Sequence, residues 1–411
     1  NGLVAAAGRP QPASVSWKGA FWVGGAQVGE PVVVDAVRTP IGKRDGLLRA
    51  VRPEVLYARV LDALLQRNGI PAEVVDDVIT GCVTQAGEQG MNVGRLAVLS
   101  SSLGHRVPAV TLNRMCGSSQ QAVHFAAQAI AAGDARVVIA GGVESMTRVP
   151  MFLDIGDLAK LSPPVQGKYE LVHQGESAER IADWYGLSRR ELDEYSYRSH
   201  LRAARATREG WFRGHLVPIE GLDPQGRPVQ VEHDEGIRFD PSLECMLQLP
   251  PVFRPDGRVT AGNSSQISDG AAAVLVVDRE FARAHGLRVR ARFRARVVVA
   301  GDPTLQLMEV VPATRVALQR AGLAWKDLDV VEINEAFASV VLGWARELDA
   351  NLERVNPNGG AIAHGHPLGA TGAVLMAKLV DELERRDGQF GLQVMCIGHG
   401  MATATVLERV S

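Results

Sequence analysis

The chain repeats itself, and this internal repeat restricts its fold more than any other feature of the sequence. Residues 69–78 align with residues 322–331, because a glycine, two aliphatic residues, an aspartate and a valine recur in register. In both halves a helical pattern lies further along the chain, at residues 120–132 and 372–386. A repeat of this length indicates that one supersecondary unit occurs twice.

The repeated unit alternates strands and helices. Apolar runs of about four to eight residues are typical of buried strands, whereas apolar residues three or four positions apart are typical of helices. The predicted strands are residues 31–36, 77–81, 136–140, 271–276, 330–333, 392–396 and 402–407. A further helix is predicted at residues 54–68, with Gly69 ending it. This alternation predicts an α/β fold.

The two halves differ at their last pair of strands. Only Gly398, His399 and Gly400 join these strands in the second half, whereas more than a hundred residues separate them in the first. We therefore predict an insertion at residues 150–250, which we expect to act as a lid or substrate-binding domain. The predicted order is a disordered extension (1–30), an N-terminal core half (31–149), the insertion (150–250), the end of the N-terminal half (251–290) and a C-terminal core half (291–411).

Composition excludes several classes of protein. A formal net charge of -2 gives no basic field for nucleic acid, and no apolar run approaches the ~18 residues of a membrane-spanning helix. The cysteines form no CxxC pair that would suggest zinc or a dithiol switch; they are Cys82, Cys116, Cys245 and Cys396. A chain this large needs no disulfides, so the cytoplasm is its expected location.

Cys116 is the first candidate for chemistry. It lies between a predicted strand that ends near Leu112 and a helix that begins near Ser118. A thiol at a helix start faces unpaired backbone N–H groups and the positive end of the helix dipole, which favour the thiolate. The alternative is a small packed apolar residue, as most free cysteines are.

A glycine-rich segment at residues 358–372 contains His364 and His366. Its glycines let the backbone pass close to a ligand, and Pro367 suits the start of a helix. A histidine there would serve as a general base for a nearby thiol. A surface turn is the alternative, and His-x-His without a further ligand at suitable spacing does not predict a metal site.

Two strand ends carry polar or reactive residues. Cys396 ends an apolar strand and runs into glycines, which is a common active-site position, although a core cysteine fits equally well. Asn334 and Glu335 follow the strand at residues 330–333, where buried polar groups need partners. Helix capping would be the simplest explanation for these two residues.

Together these patterns resemble the thiolase family across residues 31–411. The matching segments are NRMCGSS (113–119), GNSSQISDGAAA (262–273), NEAFA (334–338), GGAIAHGHPLGATG (359–372) and CIGHG (396–400). The resemblance implies two βαβαβαββ repeats stacked as a five-layered αβαβα sandwich, with a loop domain inserted in the first half. It also implies the degradative 3-oxoacyl-CoA branch, with CoA as a substrate, no tightly bound cofactor, and a homodimer or homotetramer.

The resemblance further implies roles for individual residues. Cys116 would be the nucleophile, His366 its base, and Cys396 the acid that protonates the enolate of acetyl-CoA. His366 and a water positioned by Asn334 would hold the enolate oxygen. The backbone N–H groups of Cys116 and Gly398 would hold the tetrahedral oxygen.

The same resemblance places five residues near the substrate. Arg238 and Ser265 would lie near the nucleotide and pantetheine parts of CoA, and Phe337 would pack beside the pantetheine arm. His173 and Gln174 would lie where the lid approaches the acyl group.

This sequence departs from the family pattern at several positions. His399 replaces the usual glycine, His364 replaces an aliphatic residue, Cys245 lies where some members have serine, and the lid at residues 151–173 is short. The short lid leads to the hypothesis that the site has room for a bulky or branched acyl chain. Three alternatives stay open, namely an acetoacetyl-CoA-forming acetyl-CoA acetyltransferase, a ketoacyl synthase-like condensing enzyme, and a catalytically silent acyl-CoA carrier.

Overall fold

The structure is a computed structural model that describes residues 28–156 and 162–410. Residues 1–27 of the predicted extension, residues 157–161 of the predicted lid and residue 411 lie outside this part of the chain. None of the helices in the described ranges is long and apolar enough to cross a lipid bilayer.

The described residues form an alternating series of strands and helices. The strands are β1 (Pro31–Arg38), β2 (Gly42–Lys43), β3 (Asp77–Gly81), β4 (Ala109–Leu112), β5 (Val137–Ser145), β6 (Ile219–Leu222), β7 (Pro228–Val231), β8 (Ser268–Asp278), β9 (Ala291–Ala300), β10 (Val330–Ile333), β11 (Phe390–Ile397) and β12 (Met401–Arg409). The helices are α1 (Pro53–Asn68), α2 (Val93–Ser100), α3 (Ser118–Ala132), α4 (Pro163–Gln166), α5 (Gln174–Trp184), α6 (Arg189–Arg208), α7 (Leu243–Leu247), α8 (Arg279–Ala284), α9 (Val310–Ala321), α10 (Ala338–Leu348), α11 (Ala361–His364) and α12 (Thr371–Arg385).

The sheet topology displays the repeat directly. The strand order is β4-β3-β5-β8-β1-β9-β12-β11-β10. Counting outward from the pairing of β1 with β9, strands β8, β5 and β3 of the first half correspond to β12, β11 and β10 of the second. In the first half β3 is parallel to β5 and β5 is antiparallel to β8; in the second, β10 is parallel to β11 and β11 is antiparallel to β12. Only two residue pairs connect the halves at β1 and β9.

Helices cover both faces of each half of this sheet. Along β8, Ala273 and Leu275 face the core built with α1, whereas Val274 and Val276 face the core that contains α3 and α12. Helices α9 and α10 cover the outer face of the second half. The layers therefore run α-β-α-β-α, with α3 and α12 in the middle, and the predicted five-layered fold is confirmed.

The inserted segment contains helices α4 to α7 and the hairpin of β6 and β7. Helices α5 and α6 pack on the opposite half of the molecule, whereas the hairpin packs on the first half. Ile181 of α5 and Leu192 of α6 share a buried core with Val341 of α10, which belongs to the second half. Asp234 holds the end of the segment to β1 through a buried bidentate ion pair with Arg38, at 2.6 and 3.0 Å. The boundaries at residues 150 and 250, and those of the two core halves, stay a prediction.

Strand β5 is longer than predicted. The expected strand ended at Ala140, because two glycines and polar residues follow it, but the observed strand continues to Ser145. A Cβ atom on Gly142 would lie only 2.1 Å from the carbonyl oxygen of Gly369, which belongs to the other half. The glycine is therefore required by the close approach of two backbones rather than by a turn.

We predict that Gly142→Ala lowers the free energy of unfolding by about 2 to 3 kcal/mol, because neither backbone is free to move away from the added methyl group. Gly167→Ala is the matched control, since its added Cβ would have no neighbour closer than 3.4 Å. Denaturant unfolding of both variants measures the difference. Equal stability of the two variants would show that the halves are not packed as closely as described.

Candidate active site

Cys116 lies on a sharp turn between β4 and α3. Met115 before it has a φ of 47°, in the left-handed region that few residues other than glycine adopt. The Ser118 hydroxyl stabilises the turn by accepting from the N–H of Arg114 at 2.9 Å and donating to the carbonyl of Met115 at 2.5 Å. The turn places the thiol at the N-terminus of α3, as predicted.

The turn between β11 and β12 approaches Cys116 from the other half. The backbone N–H of Gly398 interacts with the sulfur of Cys116. His399 has a φ of 60°, so a histidine occupies the left-handed position in this three-residue turn. Its backbone N–H donates to Oε1 of Gln306 at 2.9 Å.

His366 is held in one tautomer by Thr371. Its Nδ1 lies 2.6 Å from Oγ1 of Thr371, and that hydroxyl donates its own proton to the carbonyl of Pro367 at 2.9 Å. Thr371 must therefore accept a hydrogen bond from Nδ1–H of His366. The lone pair of the imidazole is consequently on Nε2, which is the arrangement that a general base needs.

Asn334 and Cys396 lie behind the histidine. The side-chain amide of Asn334 is 3.4 Å from Nε2 of His366, and it also interacts with the thiol of Cys396. Within the described residues the buried Oδ1 of Asn334 has no hydrogen-bond partner. The simple capping explanation is wrong, because no side chain caps α10. The carboxylate of Glu335 instead accepts from Tyr195 and Ser199 of α6, at 2.8 and 2.7 Å.

Burial controls the protonation of the three central groups. It raises the pKa of Cys116 to about 12, although the N–H groups of Cys116 and Gly398 act in the opposite direction. It lowers the pKa of His366 to about 4. Burial also raises the pKa of Cys396, and the nearby Cys116 raises it further. These shifts favour neutral thiols and a neutral imidazole at neutral pH. The backbone N–H of Cys116 at the helix start favours the thiolate, as expected, but burial outweighs it.

Seven of the ten predicted site residues line one cavity of about 320 Å³; they are Cys116, His366, Gly398, Ser265, Phe337, His173 and Gln174. Most of the other lining side chains are apolar, including Met146, Phe152, Ile155 and Phe253. Asn334 and Cys396 lie behind the wall rather than on it. Among the described residues no group of three or more histidine, cysteine or acidic side chains could hold a metal ion.

The tenth residue, Arg238, lines a wider groove of about 840 Å³. Phe253 and residues 264–267 border both spaces, so the groove leads into the cavity. Sequence reasoning expected Arg238 near CoA but missed two other cationic side chains along the groove, the consecutive Lys43 and Arg44. They are far from Arg238 in sequence, so no local pattern groups the three. Cys245, noted as a departure, also lines the groove.

Sequence reasoning also missed Thr371 and Gln306. Thr371 lies inside the glycine-rich motif, five residues after His366. This short separation in sequence was the one signal that could have indicated its contact with the imidazole. Gln306 lies in the loop between β9 and α9, far from every motif in sequence, and carries no such signal.

Comparison with known proteins shows the same relationship along the whole chain. The model of the thiolase N-terminal domain matches residues 31–280, and that of the thiolase C-terminal domain matches residues 287–409. The chain is 45% identical over 396 residues to the steroid 3-ketoacyl-CoA thiolase FadA6 of Mycobacterium tuberculosis, which covers 94% of this chain and 96% of that protein. It is 46% identical to the 3-ketoacyl-CoA thiolase of Erwinia tasmaniensis, over 92% of this chain and 99% of that one.

Solved structures agree with the sequence relatives. The acetyl-CoA acetyltransferase of Bacillus anthracis superposes with a TM-score of 0.86 at 35% identity, over 93% of this chain and 99% of that one. Human mitochondrial 3-ketoacyl-CoA thiolase superposes with a TM-score of 0.85 at 36% identity, over 93% and 100%. The two domain models, the relatives and the shared fold establish that this chain belongs to the thiolase family.

Proposed function

We propose that this protein is a 3-ketoacyl-CoA thiolase, which uses free CoA to cleave a 3-ketoacyl-CoA into acetyl-CoA and a shortened acyl-CoA. The observation that carries the proposal is the meeting of Cys116 and His366, from opposite halves of the chain, on one cavity wall with Cys396 behind it. Relatives that cover almost the whole chain carry the name 3-ketoacyl-CoA thiolase.

The first step is attack by Cys116 on the 3-keto carbon. Because the resting thiol is neutral, its proton passes to Nε2 of His366 as the carbon–sulfur bond forms. The tetrahedral oxygen accepts hydrogen bonds from the backbone N–H groups of Cys116 and Gly398. The removal of one such donor typically raises a barrier by roughly 3 kcal/mol.

Collapse of this intermediate breaks the bond between C2 and C3. The acyl group stays on Cys116 as a thioester, and the bonding electrons pass to the enolate of acetyl-CoA. His366, now protonated, stabilises the enolate oxygen, and the unpartnered Oδ1 of Asn334 can orient a water beside it. The proton that completes acetyl-CoA comes from Cys396, whose raised pKa keeps that proton in place until the carbanion forms.

The second half-reaction transfers the acyl group to CoA. The thiol of CoA gives its proton to the thiolate of Cys396 and attacks the thioester, and the departing sulfur of Cys116 takes back the proton held on His366. The basic groove suits the phosphates of CoA, with Arg238 beside Lys43 and Arg44. Ser265 and Phe337 lie on the narrower cavity, where the pantetheine arm would reach the sulfur site.

We also propose that the acyl chain is bulky or branched. The wall beyond Cys116 is mainly apolar, and a relative at 45% identity carries a steroid substrate in its name. An acetyl-CoA acetyltransferase with the same fold makes acetoacetyl-CoA chemistry the alternative. By the family resemblance we further propose a cytoplasmic homodimer or homotetramer.

We predict that a panel of 3-ketoacyl-CoA substrates is turned over repeatedly only when free CoA is present, and that bulky chains react faster than acetoacetyl-CoA. A preference for acetoacetyl-CoA would support the acetyltransferase alternative. Equal rates with every chain would contradict the proposal of a bulky substrate.

The same panel tests the covalent step. Without CoA, mass spectrometry should find the acyl group on the peptide that contains Cys116, and Cys116→Ser should abolish it. Cys396→Ser is the matched control: it should still form a thioester from a simple acyl-CoA, but cleave carbon–carbon bonds at least about 100-fold more slowly. An unmodified Cys116 would favour a silent carrier.

We predict that Thr371→Val lowers kcat by about 10- to 100-fold with little change in KM, because valine cannot accept the proton of Nδ1 that fixes the tautomer of His366. Thr371→Ser keeps the hydroxyl and should retain most of the activity. Steady-state kinetics of the pair separate the hydrogen bond from packing. Wild-type kcat in the valine variant would show that another group orients the imidazole.

We predict that alkylation of Cys116 by iodoacetamide accelerates with pH throughout pH 6 to 10, without a plateau. Its pKa is raised to about 12, so the thiolate fraction grows about tenfold per pH unit over this range. A cysteine in a short peptide, with a pKa of about 8.5, should level off. Mass spectrometry of the labelled peptide gives the rate. A plateau below pH 8 would instead indicate a thiolate–imidazolium pair.

A further inference from the structure

Gln306 has no role in the proposed reaction, yet it lines the cavity beside the turn at Gly398 and His399. This turn is called the oxyanion turn, because the N–H of Gly398 is proposed to hold the tetrahedral oxygen. Gln306 lies in the loop between β9 and α9, is only 2% exposed, and has a φ of 38°. A buried glutamine in the left-handed region is unfavourable on its own and persists only where its surroundings hold it. Its hydrogen bonds show what holds it.

The carboxamide of Gln306 makes three hydrogen bonds in two directions. Oε1 accepts from the backbone N–H of His399 at 2.9 Å. Nε2 donates to the carbonyl of Val172 at 3.0 Å and to the hydroxyl of Ser177 at 2.9 Å. Ser177 in turn donates to the carbonyl of Thr304 at 2.9 Å, so each proton in this hydrogen-bond network has a defined acceptor.

One end of this network controls the oxyanion turn. His399 and Gly398 contribute consecutive peptide planes, so fixing the N–H of His399 restricts the orientation of the N–H of Gly398. That second N–H is the one that interacts with the sulfur of Cys116. The turn contains His399 in the left-handed region, where a residue other than glycine needs support from outside.

The other end holds the part of the insertion that would touch the acyl chain. Val172, His173 and Gln174 all line the cavity, and Ser177 lies one turn further along α5. Nε2 of Gln174 is only 2.7 Å from the point where a Cβ on Gly398 would lie, so this segment packs directly on the oxyanion turn.

We propose that Gln306 is a positioning residue that links the oxyanion turn at Gly398 and His399 to the acyl-contacting segment at residues 172–177. It orients the N–H of Gly398 toward the oxygen of the tetrahedral intermediate, and it makes this orientation depend on how residues 172–177 of the insertion are packed. The inference rests on the proposed function. It adds that contact of a long acyl chain with residues 172–174 steadies the oxyanion site and raises kcat.

The test is Gln306→Met in the full-length enzyme, because methionine has a similar size but makes none of the three hydrogen bonds. With a long 3-ketoacyl-CoA, kcat should fall by about 10- to 100-fold, somewhat less than the 10²- to 10³-fold typical of a donor removed outright. KM for CoA should stay within about threefold. With acetoacetyl-CoA the fall in kcat should be smaller, because this short chain does not reach residues 172–174.

Gln89→Met is a matched control for a purely structural loss. Gln89 is fully buried and also makes three hydrogen bonds, accepting from the N–H of Ser145 and donating to Thr84 and Glu144. This variant should lose stability without changing the ratio of kcat between long and short substrates. Ser177→Ala removes one bond at the far end and should change that ratio in the same direction as Gln306→Met, but less. It therefore serves as the test if the methionine variant does not fold.

Two results would overturn the inference. One is wild-type kcat for Gln306→Met, or for Ser177→Ala if only that variant folds, with every chain length. The other is a fall in kcat of Gln306→Met that is equal for long and short chains and is also found for Gln89→Met. Failure of the proposed function is distinguishable, because the wild-type enzyme itself would then cleave no 3-ketoacyl-CoA.

Discussion

The active site depends on direct contact between the N-terminal ends of α3 and α12. The hydroxyl of Ser119, at the start of α3, accepts from the N–H of Ala373 in the first turn of α12 at 2.9 Å. Gly372 allows this contact, since a Cβ there would lie 2.4 Å from the backbone nitrogen of Gln120. These helices are equivalent in the two repeats, so their meeting brings two equivalent loops together. One loop carries Cys116, the proposed nucleophile, and the other carries His366, its proposed base.

The site is buried between the two halves of the molecule, so water is excluded from it, and this determines its protonation. Charge on an isolated thiolate or imidazolium is disfavoured there, so both groups stay neutral until substrate arrives. The surrounding donors are already in place for the charge that develops during reaction. This arrangement avoids a permanent buried ion pair, in which the attraction between the charges does little more than offset the free-energy cost of removing them from water. It still allows strong electrostatic stabilisation of the transition state.

The insertion belongs to the first half in sequence, but its helices α5 and α6 pack on the second half in space. Its helix α6 supplies both hydroxyls that satisfy Glu335, the residue that follows Asn334. Its helix α5 begins beside the cavity, with His173 stacked on Phe253 at a ring distance of 5.1 Å. The residues proposed to contact substrate and those proposed to catalyse the reaction are therefore parts of one packed unit, and a change in either is transmitted through buried contacts.

Much of this protein is determined by short stretches of its sequence. The helices at residues 54–68, 120–132 and 372–386 were predicted to within about two residues at each end, because apolar periodicity is a local property. Local patterns also predicted the repeat, the position of Cys116 at a helix start and the motifs around His366 and Cys396.

Other features of the structure were decided only by tertiary packing. Four features depend on contacts between residues far apart in the chain or on distances between atoms. They are the continuation of β5 past two glycines, the packing of helices α5 and α6 on the opposite half, the tautomer set by Thr371 and the hydrogen bonds of Gln306. The neutral state of Cys116 likewise reflects how completely the folded chain removes water from it, which no local pattern of residues encodes.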